Sequence, residues 1–239
     1  KLNVLSRSWL GEIKVINLTK RPLEQFCADR KIIVRDGTIK SELMLIKRVF
    51  KIAIDKWNYG IPFNAFNGLD IPSPHKPRTR RLVSNELFIL ISHAEKQRNK
   101  YISTIIKFAV ETGMRRSEIL KLTWNDVNLD TGIASLYDTK NGDDRHIPLT
   151  KTAIQLLSNL AQSSEFVFPI TANCLRLAWE RCRDKSNIKG LRFHDLRHEA
   201  VSRFFEMGLS VPEVALISGH KDVRQLFRYT HLKPENLIA

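Results

Sequence analysis

Residues able to hold a phosphate group and to attack it are concentrated between positions 193 and 232. His194 and Arg197 lie within one turn of an expected helix. His220 follows a glycine, and Tyr229 comes nine residues later. A guanidinium holds phosphate oxygens at fixed geometry, a histidine exchanges protons near neutral pH, and a tyrosine becomes a nucleophile once its proton is removed. The combination indicates a site for a phosphate and a nucleophile, which the rest of the chain must position.

The net charge narrows the class of partner. The chain has 239 residues, with 39 Lys and Arg against 25 Asp and Glu, which gives a net charge of +14 and a pI near 9.9. Residues 1–80 hold 16 of the basic residues and 7 of the acidic ones, so positive charge is densest there. Such a charge favours a polyanion, nucleic acid first and an anionic membrane surface second. A basic but inert surface is the alternative.

Cysteine usage and hydropathy indicate the compartment. Cys27, Cys174 and Cys182 form no Cys-x-x-Cys pair, which argues for a reducing environment and against a disulfide scaffold or a zinc knuckle. No apolar run reaches 18 residues and no signal-peptide pattern is present, so we expect a cytoplasmic protein with no membrane span. Because the chain begins at Lys1 rather than Met, we expect it to be N-terminally truncated.

Periodicity predicts a mainly α-helical protein that contains one small antiparallel sheet. A Pro-rich stretch runs into a basic cluster, and this change in composition predicts a domain of residues 1–76, a basic linker at 77–81 and a second domain at 82–239. The linker's arginines are expected to lie near a phosphate backbone. The expected helices cover residues 39–57 (capped by Thr38), 84–98, 100–112, 117–122, 151–161, 171–184, 195–207, 211–218 and 222–229. Strands at 133–137 and 145–149 are expected to flank a hairpin at Asn141-Gly142.

Four short motifs follow one another in a fixed order. Residues 112–118 read T-G-M-R-R-S-E, Lys140 lies at the hairpin, residues 194–198 read H-D-L-R-H, and a Gly-His pair at 219–220 precedes Tyr229. This ordered set resembles the tyrosine recombinase (phage integrase) family. The C-terminal motifs are especially similar to those of its shufflon-type DNA invertases. The resemblance implies a two-domain architecture, with a helical core-DNA-binding domain before the linker and a catalytic domain after it.

The resemblance also implies an activity and a set of active-site residues. The implied protein is a site-specific recombinase that cleaves and rejoins DNA through a covalent 3′-phosphotyrosine, for integration, excision or inversion, without metal, cofactor or ATP. The positions that match the family's active-site motifs are Arg115, Lys140, His194, Arg197, His220 and the nucleophile Tyr229. The implied partner is a double-stranded DNA recombination site, synapsed by four subunits in a bacterial or phage-derived, nucleoid-associated setting. A monomer in free solution is compatible with this.

Each of these side chains has a chemical task in that reaction. Arg115 and Arg197 would clamp the non-bridging oxygens, which gain negative charge in the pentavalent transition state. Tyr229, with an intrinsic pKa of about 10, needs a base, and His194 is placed to accept its proton. His220 would donate a hydrogen bond to a non-bridging oxygen, and Lys140 would protonate the departing 5′ hydroxyl.

Other interpretations of the same residues stay open. His194-Asp195-x-x-His198 has the spacing of a zinc helix, as a metallohydrolase would use, although Arg197 would place a fixed charge beside the metal. A non-catalytic DNA-binding regulator of the same fold is a second alternative, and a type IB topoisomerase-like relaxing enzyme is a third. Within the recombinase interpretation, His198 is expected to be a structural histidine rather than a catalytic one.

Overall fold

The computed structural model describes residues 2–60, 63–72, 80–137 and 144–230. The chain forms two compact units, Lys1–Arg78 and Thr79–Ala239. Across these described ranges, no helix is both long enough and apolar enough to cross a lipid bilayer.

The first unit is built around two longer helices. Helix α3 (Lys20–Ile33) follows Thr19 as its N-cap residue, and helix α4 (Asp36–Trp57) stops at Asn58, whose φ of 52° is left-handed. The remaining segments are α1 (Leu2–Ser6), α2 (Trp9–Glu12) and two 3₁₀ turns, Val15–Asn17 and Phe63–Phe66. Apolar residues three, four or seven positions apart give each long helix one buried face: Leu23, Phe26, Ile39, Leu43 and Phe50.

Helix α4 begins earlier than the sequence predicted. Thr38 was expected to cap a helix that starts at Ile39, but the extended residue Arg35 is the N-cap and Asp36 already lies in the first turn. A carboxylate is favourable there because the first backbone N–H groups of a helix lack acceptors. The pairing of α3 with α4 is fixed by Arg30, which donates to both carboxylate oxygens of the buried Glu42, at 2.9 and 2.7 Å.

The second unit consists of helices around one small sheet. Its elements are α5 (Glu86–Glu95), α6 (Tyr101–Thr112), α7 (Arg116–Lys121), β1 (Val127–Asn128), β2 (Ile133–Leu136), β3 (Arg145–Pro148), α8 (Lys151–Ser158), α9 (Ala172–Lys185), α10 (Asp195–Glu206) and α11 (Val211–Ser218), with 3₁₀ turns at Trp124–Asp126, Val223–Gln225 and Phe227–Tyr229. The sheet is antiparallel in the order β1-β2-β3, and Ala134 lies opposite Ile147. The prediction of a mainly helical fold with a small antiparallel sheet is confirmed.

Helix α6 lies at the centre of this unit. Eight of its 12 residues are buried, and it packs against α5, α8, α9 and α10. Gly113 ends the helix with a φ of 61°, a left-handed conformation that favours glycine, and a Cβ at this position would lie 3.3 Å from Ala200 on α10. The end of α6 is therefore held closely against α10, which carries part of the H-D-L-R-H motif.

The prediction of one helix over residues 222–229 is wrong. The segment forms two 3₁₀ turns, and the side chain of Asp222 accepts a hydrogen bond from the backbone N–H of Arg224 at 3.1 Å. Such local side-chain bonds offer the backbone an alternative to helical pairing. The two turns bury Leu226 and Tyr229 in the unit's core.

Candidate active site

Arginine side chains from three segments converge on the C-terminal end of α11. The first is Arg197 on α10, which is only 4% exposed. Its Nη1 donates to the carbonyl of Gly113 at 2.6 Å, and its Nη2 donates to the carbonyl of Ser218 at 2.5 Å. Because both carbonyls end helices whose residues are packed in the core, the guanidinium is fixed in position and orientation.

The second arginine, Arg115, is the partly exposed N-cap residue of α7. Its backbone N–H and its Nη1 donate to the two carboxylate oxygens of Glu118, both at 2.7 Å. Its Nη2 donates to the carbonyl of Gly219 at 3.2 Å. Glu118 therefore caps the helix and orients the arginine that precedes it. Arg115 and Arg197 are held at adjacent carbonyls at the end of α11.

The third arginine, Arg145, was not among the residues singled out from the sequence. It begins β3, is 6% exposed, and donates to Glu118 Oε2 at 2.8 Å and to the Ser218 carbonyl at 2.9 Å. Burial works to raise the pKa of Glu118, but the charge of Arg145 and the hydrogen bonds from Arg115 outweigh it, so the carboxyl's pKa lies below its ordinary value. Glu118 therefore stays ionised between the two arginines.

The site carries an excess of positive charge. Burial and the neighbouring charge of Arg115 lower the pKa of Arg197 to about 9. The pKa of Arg145 is lowered as well, by burial first. Both guanidiniums remain protonated near neutral pH, yet each would gain from a nearby anion. This is the electrostatic setting that a phosphodiester would relieve.

His220 follows Gly219 and lies beside these arginines. The Ser218 hydroxyl donates to the Val214 carbonyl at 2.5 Å, and its oxygen lies 2.6 Å from Nδ1 of His220, where it can accept Nδ1–H. Burial, followed by the charges of the nearby arginines, lowers the pKa of His220 to about 3. The ring is therefore neutral in this state, and with its proton on Nδ1 its Nε2 is unprotonated.

Tyr229 contacts His198 rather than His194. The phenol oxygen and Nδ1 of His198 form a short hydrogen bond, and the two rings stack with centroids 5.5 Å apart and planes inclined by 27°. Burial lowers the pKa of His198 to about 4, so the ring is neutral and can accept the phenolic hydrogen when its own proton lies on Nε2. Burial raises the pKa of Tyr229, and the charges of Arg228 and Arg197 offset this only in part.

His194 contacts the ring of His198, which lies between it and the phenol of Tyr229. It is the N-cap residue of α10, and its ring meets that of His198 edge to face with centroids 5.0 Å apart. Partial burial and the charge of Arg197 lower its pKa, although much of the residue is exposed. His194 thus contacts the ring that holds the tyrosine oxygen, and its exposed side reaches solvent.

The structure thus brings together five of the six residues predicted from the sequence. Arg115, Arg197 and His220 share the end of α11, while His194 and Tyr229 both contact the ring of His198. The sixth, Lys140, lies outside the described residues. The helix that carries His194, Arg197 and His198 links the two groups.

Sequence reasoning gave too little weight to two residues in this arrangement. His198 was expected to be structural, yet it is the side chain bonded to the tyrosine oxygen. Arg145 was noted only in the R-H-I-P-L run of the strand that follows the hairpin, and it was given no role. One feature of the sequence could have indicated that Arg145 is buried. In an alternating strand Arg145 shares a face with Ile147, and that face is buried.

The described part of the basic linker makes ion pairs within the second unit. Arg80 pairs with Glu86, at 2.5 Å. Arg81 pairs with Glu199, at 3.1 Å, and with Glu206, at 2.5 Å. These two arginines were expected to lie near phosphate, but here they neutralise carboxylates. The remaining linker positions, 77–79, fall outside the described residues.

The zinc-helix alternative can be compared with the geometry. Among the described residues, no cluster of three or more His, Cys, Asp or Glu side chains is arranged to hold a metal ion. The two histidines of that motif instead pack ring against ring, and Nδ1 of His198 is bonded to the tyrosine.

Comparison with known protein sequences adds independent information. Residues 80–236 match the Phage integrase family. The chain is 38% identical over 208 residues to the shufflon-specific DNA recombinase of Escherichia coli, an alignment that covers 86% of this chain and 54% of that protein. It is 32% identical over 231 residues to a Haemophilus influenzae protein described as an integrase/recombinase, covering 93% and 75%. The chain thus spans about half the length of the E. coli relative.

Solved structures show the same fold. The Tn1549 transposon integrase in complex with circular intermediate DNA superimposes with a TM-score of 0.77 at 18% identity, covering 99% of this chain and 89% of that one. The XerH recombinase bound to its difH substrate superimposes with a TM-score of 0.70 at 21% identity, covering 92% and 69%. At these identities the likeness concerns the fold alone.

Proposed function

The chain belongs to the phage integrase family, and on that premise we propose that it is a site-specific recombinase that breaks and rejoins DNA through a covalent 3′-phosphotyrosine. The observation that carries the proposal is the pair of guanidiniums of Arg115 and Arg197, fixed at adjacent carbonyls. Two fixed guanidinium forks, both charged near neutral pH, suit the two non-bridging oxygens of a phosphodiester.

The arginines and His220 would stabilise the transition state. As the nucleophile approaches phosphorus, the two non-bridging oxygens gain negative charge, and Arg115 and Arg197 are already oriented by their backbone contacts. Burial first, and then the charges of the arginines, lower the pKa of His220, and a bound phosphate would offset the second of these causes. The ring would then take up a proton, and its Nε2–H would donate to a non-bridging oxygen.

Tyr229 would be the nucleophile. Its oxygen forms a bond to phosphorus while the bond from phosphorus to the 5′ oxygen breaks, and the phenolic proton passes to His198 Nδ1, which already contacts it. His194, beside that ring, would exchange the proton with solvent. Lys140 remains our candidate to protonate the departing 5′ oxygen. The phosphotyrosine retains the energy of the broken bond, so a second 5′ hydroxyl can reverse the step without ATP.

Duplex DNA would be held by both units. We assign residues 1–76 as the core-DNA-binding domain, residues 77–81 as the linker and residues 82–239 as the catalytic domain. Helix α4 supports this assignment, because a concavity of about 540 Å³ on its surface is lined by three basic residues, Lys47, Arg48 and Lys51, beside Asp55. Cations on a helical surface of a strongly basic unit suit a phosphate backbone.

The similarity to a shufflon-specific recombinase favours one biological reaction, inversion of a DNA segment between inverted sites. Two sites would be brought together by four copies of the protein, with a monomer in free solution as the starting state. Such a protein would work at the nucleoid in the bacterial cytoplasm.

A Tyr229→Phe variant tests the proposed function. Wild-type protein is mixed with nicked duplexes carrying inverted-repeat sites, and covalent protein–DNA adducts are separated by denaturing electrophoresis. We expect an adduct with the wild type and with Tyr137→Phe, a matched control at an exposed tyrosine, and none with Tyr229→Phe. The proposal fails if the wild type forms no adduct on any site it binds, or if Tyr229→Phe still forms one.

A further inference from the structure

We infer that Arg145 is a positioning residue, which holds Arg115 in its working orientation through Glu118. The inference rests on the proposed function, because it assigns Arg115 the task of contacting the scissile phosphate. It gives a role to a residue that the sequence analysis left without one, and it explains why a charged side chain lies in the interior of the second unit.

The contacts form a continuous relay. Arg145 Nη2 donates to Glu118 Oε2 at 2.8 Å, and Arg115 Nη1 donates to the other oxygen, Oε1, at 2.7 Å. The carboxylate is therefore held from both sides. Without Arg145, Glu118 would keep only its contacts with Arg115, and the carboxylate could rotate together with the guanidinium that it orients.

A second hydrogen bond of Arg145 joins this relay to the C-terminal end of α11. Nη1 of Arg145 donates to the Ser218 carbonyl at 2.9 Å, the carbonyl that also accepts from Arg197 Nη2. Arg115 contacts the next carbonyl, that of Gly219. Arg145 thus fixes the spacing between the start of α7 and the end of α11, where the two proposed phosphate-binding arginines lie.

Packing against Gly219 shows how closely this arrangement is fitted. A Cβ on Gly219 would overlap the Nη1 atom of Arg145, and the residue has a φ of 67°, in the left-handed region. Only glycine combines that backbone conformation with room for the guanidinium. Both the backbone and the side-chain space at the end of α11 are therefore shaped around Arg145.

The role is one of positioning and not of substrate contact. Arg145 is 6% exposed, and both of its Nη atoms already have protein acceptors. Its Nε is buried and, among the described residues, makes no hydrogen bond. An arginine chosen only to fill space would be a costly choice, since burying a charge is unfavourable unless the charge is well paired. Its effect on the reaction must pass through Glu118 and Arg115.

The test compares Arg145→Met with a control, Arg183→Met, which removes an arginine paired with Asp184 on α9. Single-turnover adduct formation is measured on two substrates: the natural phosphodiester, and a methylphosphonate that lacks the negative charge at the scissile position. A neutral phosphonate needs less help from a guanidinium. We expect Arg145→Met to lose about 100-fold in rate on the phosphodiester, the scale of a misplaced catalytic group, and far less on the methylphosphonate. DNA affinity and the control should be unchanged.

Equal losses on the two substrates would overturn the inference, because damage to the fold alone cannot distinguish them. If Arg145→Met does not fold, Arg145→Lys replaces it: it keeps the charge but cannot hold Glu118 and Ser218 together, and it should show the same substrate-dependent loss. Full activity of Arg145→Lys on the phosphodiester would also refute the relay. Failure of the wild type to form an adduct on either substrate would instead count against the proposed function.

Discussion

Replacing His198 with phenylalanine is the sharpest test of how the tyrosine is activated. In the structure the Tyr229 oxygen has His198 Nδ1 as its partner, and the two rings are stacked at 5.5 Å between centroids. Phenylalanine keeps an aromatic ring in that place and removes the acceptor. The variant therefore separates the packing contribution of His198 from its capacity to take a proton.

Two magnitudes follow from this geometry. Tyr229 is 5% exposed, so its buried hydroxyl would lose the His198 acceptor, which costs about 1–3 kcal/mol of unfolding free energy. A positioned general base contributes roughly 10²–10⁴-fold to a proton-transfer step, so adduct formation should fall by at least about 100-fold. DNA affinity should not change, because the arginines at the end of α11 are untouched.

The assay is single-turnover adduct formation on a nicked site, run beside thermal unfolding of the same samples. His146→Phe is the matched control, since the side chain of His146 bonds to Ser135 on the exposed face of the sheet. Adduct formation by His198→Phe at the wild-type rate would refute the assignment and return the role of base to His194. A loss of DNA affinity in parallel with rate would show that the substitution had disturbed the whole site.

Two further predictions concern charge. His198 and His220 have pKa values of about 4 and about 3 in the folded protein, against about 6.5 in an unfolded chain. The unfolded chain therefore binds more protons below pH 6.5. Stability without DNA should decline as the pH falls from 6.5 toward 4, and thermal melts of a His198→Phe, His220→Gln double variant should decline less; identical curves would contradict the assigned shifts. For Arg197→Lys, a single ammonium cannot reach both the Gly113 and Ser218 carbonyls, so single-turnover adduct formation should drop by about 100-fold or more. Wild-type rates in Arg197→Lys would show that the bidentate geometry is not needed.

The motif residues were predictable because their identities are local and their order along the chain is distinctive. Arg115 and His220 closely follow helix ends that the sequence itself marks, at Gly113 and Gly219, and Arg197 lies in the first turn of α10. Glycine after an apolar helical run predicts where a helix stops, and the neighbouring side chains are then presented at that end.

Contacts across long sequence separations were not predictable in the same way. Nothing near Arg145 indicates that its partners are Glu118 and Ser218, which are 27 and 73 residues away in the chain. The bond between His198 and Tyr229 likewise depends on how residues 222–229 fold, and that segment forms two 3₁₀ turns rather than the expected helix. Periodicity reports which face of an element is buried, but not which residue lies opposite it.

The end of α11 has a consequence for the resting protein. The carbonyls of Ser218 and Gly219 carry the partial negative charge of a helix C-terminus, roughly half an elementary charge for a full helix dipole. Three guanidiniums are thus hydrogen-bonded to backbone carbonyls. Within the described residues, Glu118 is the one carboxylate bonded to them. Backbone dipoles are part of the protein itself, and they do not titrate. An incoming phosphate can therefore be received with little reorganisation of the groups that meet it.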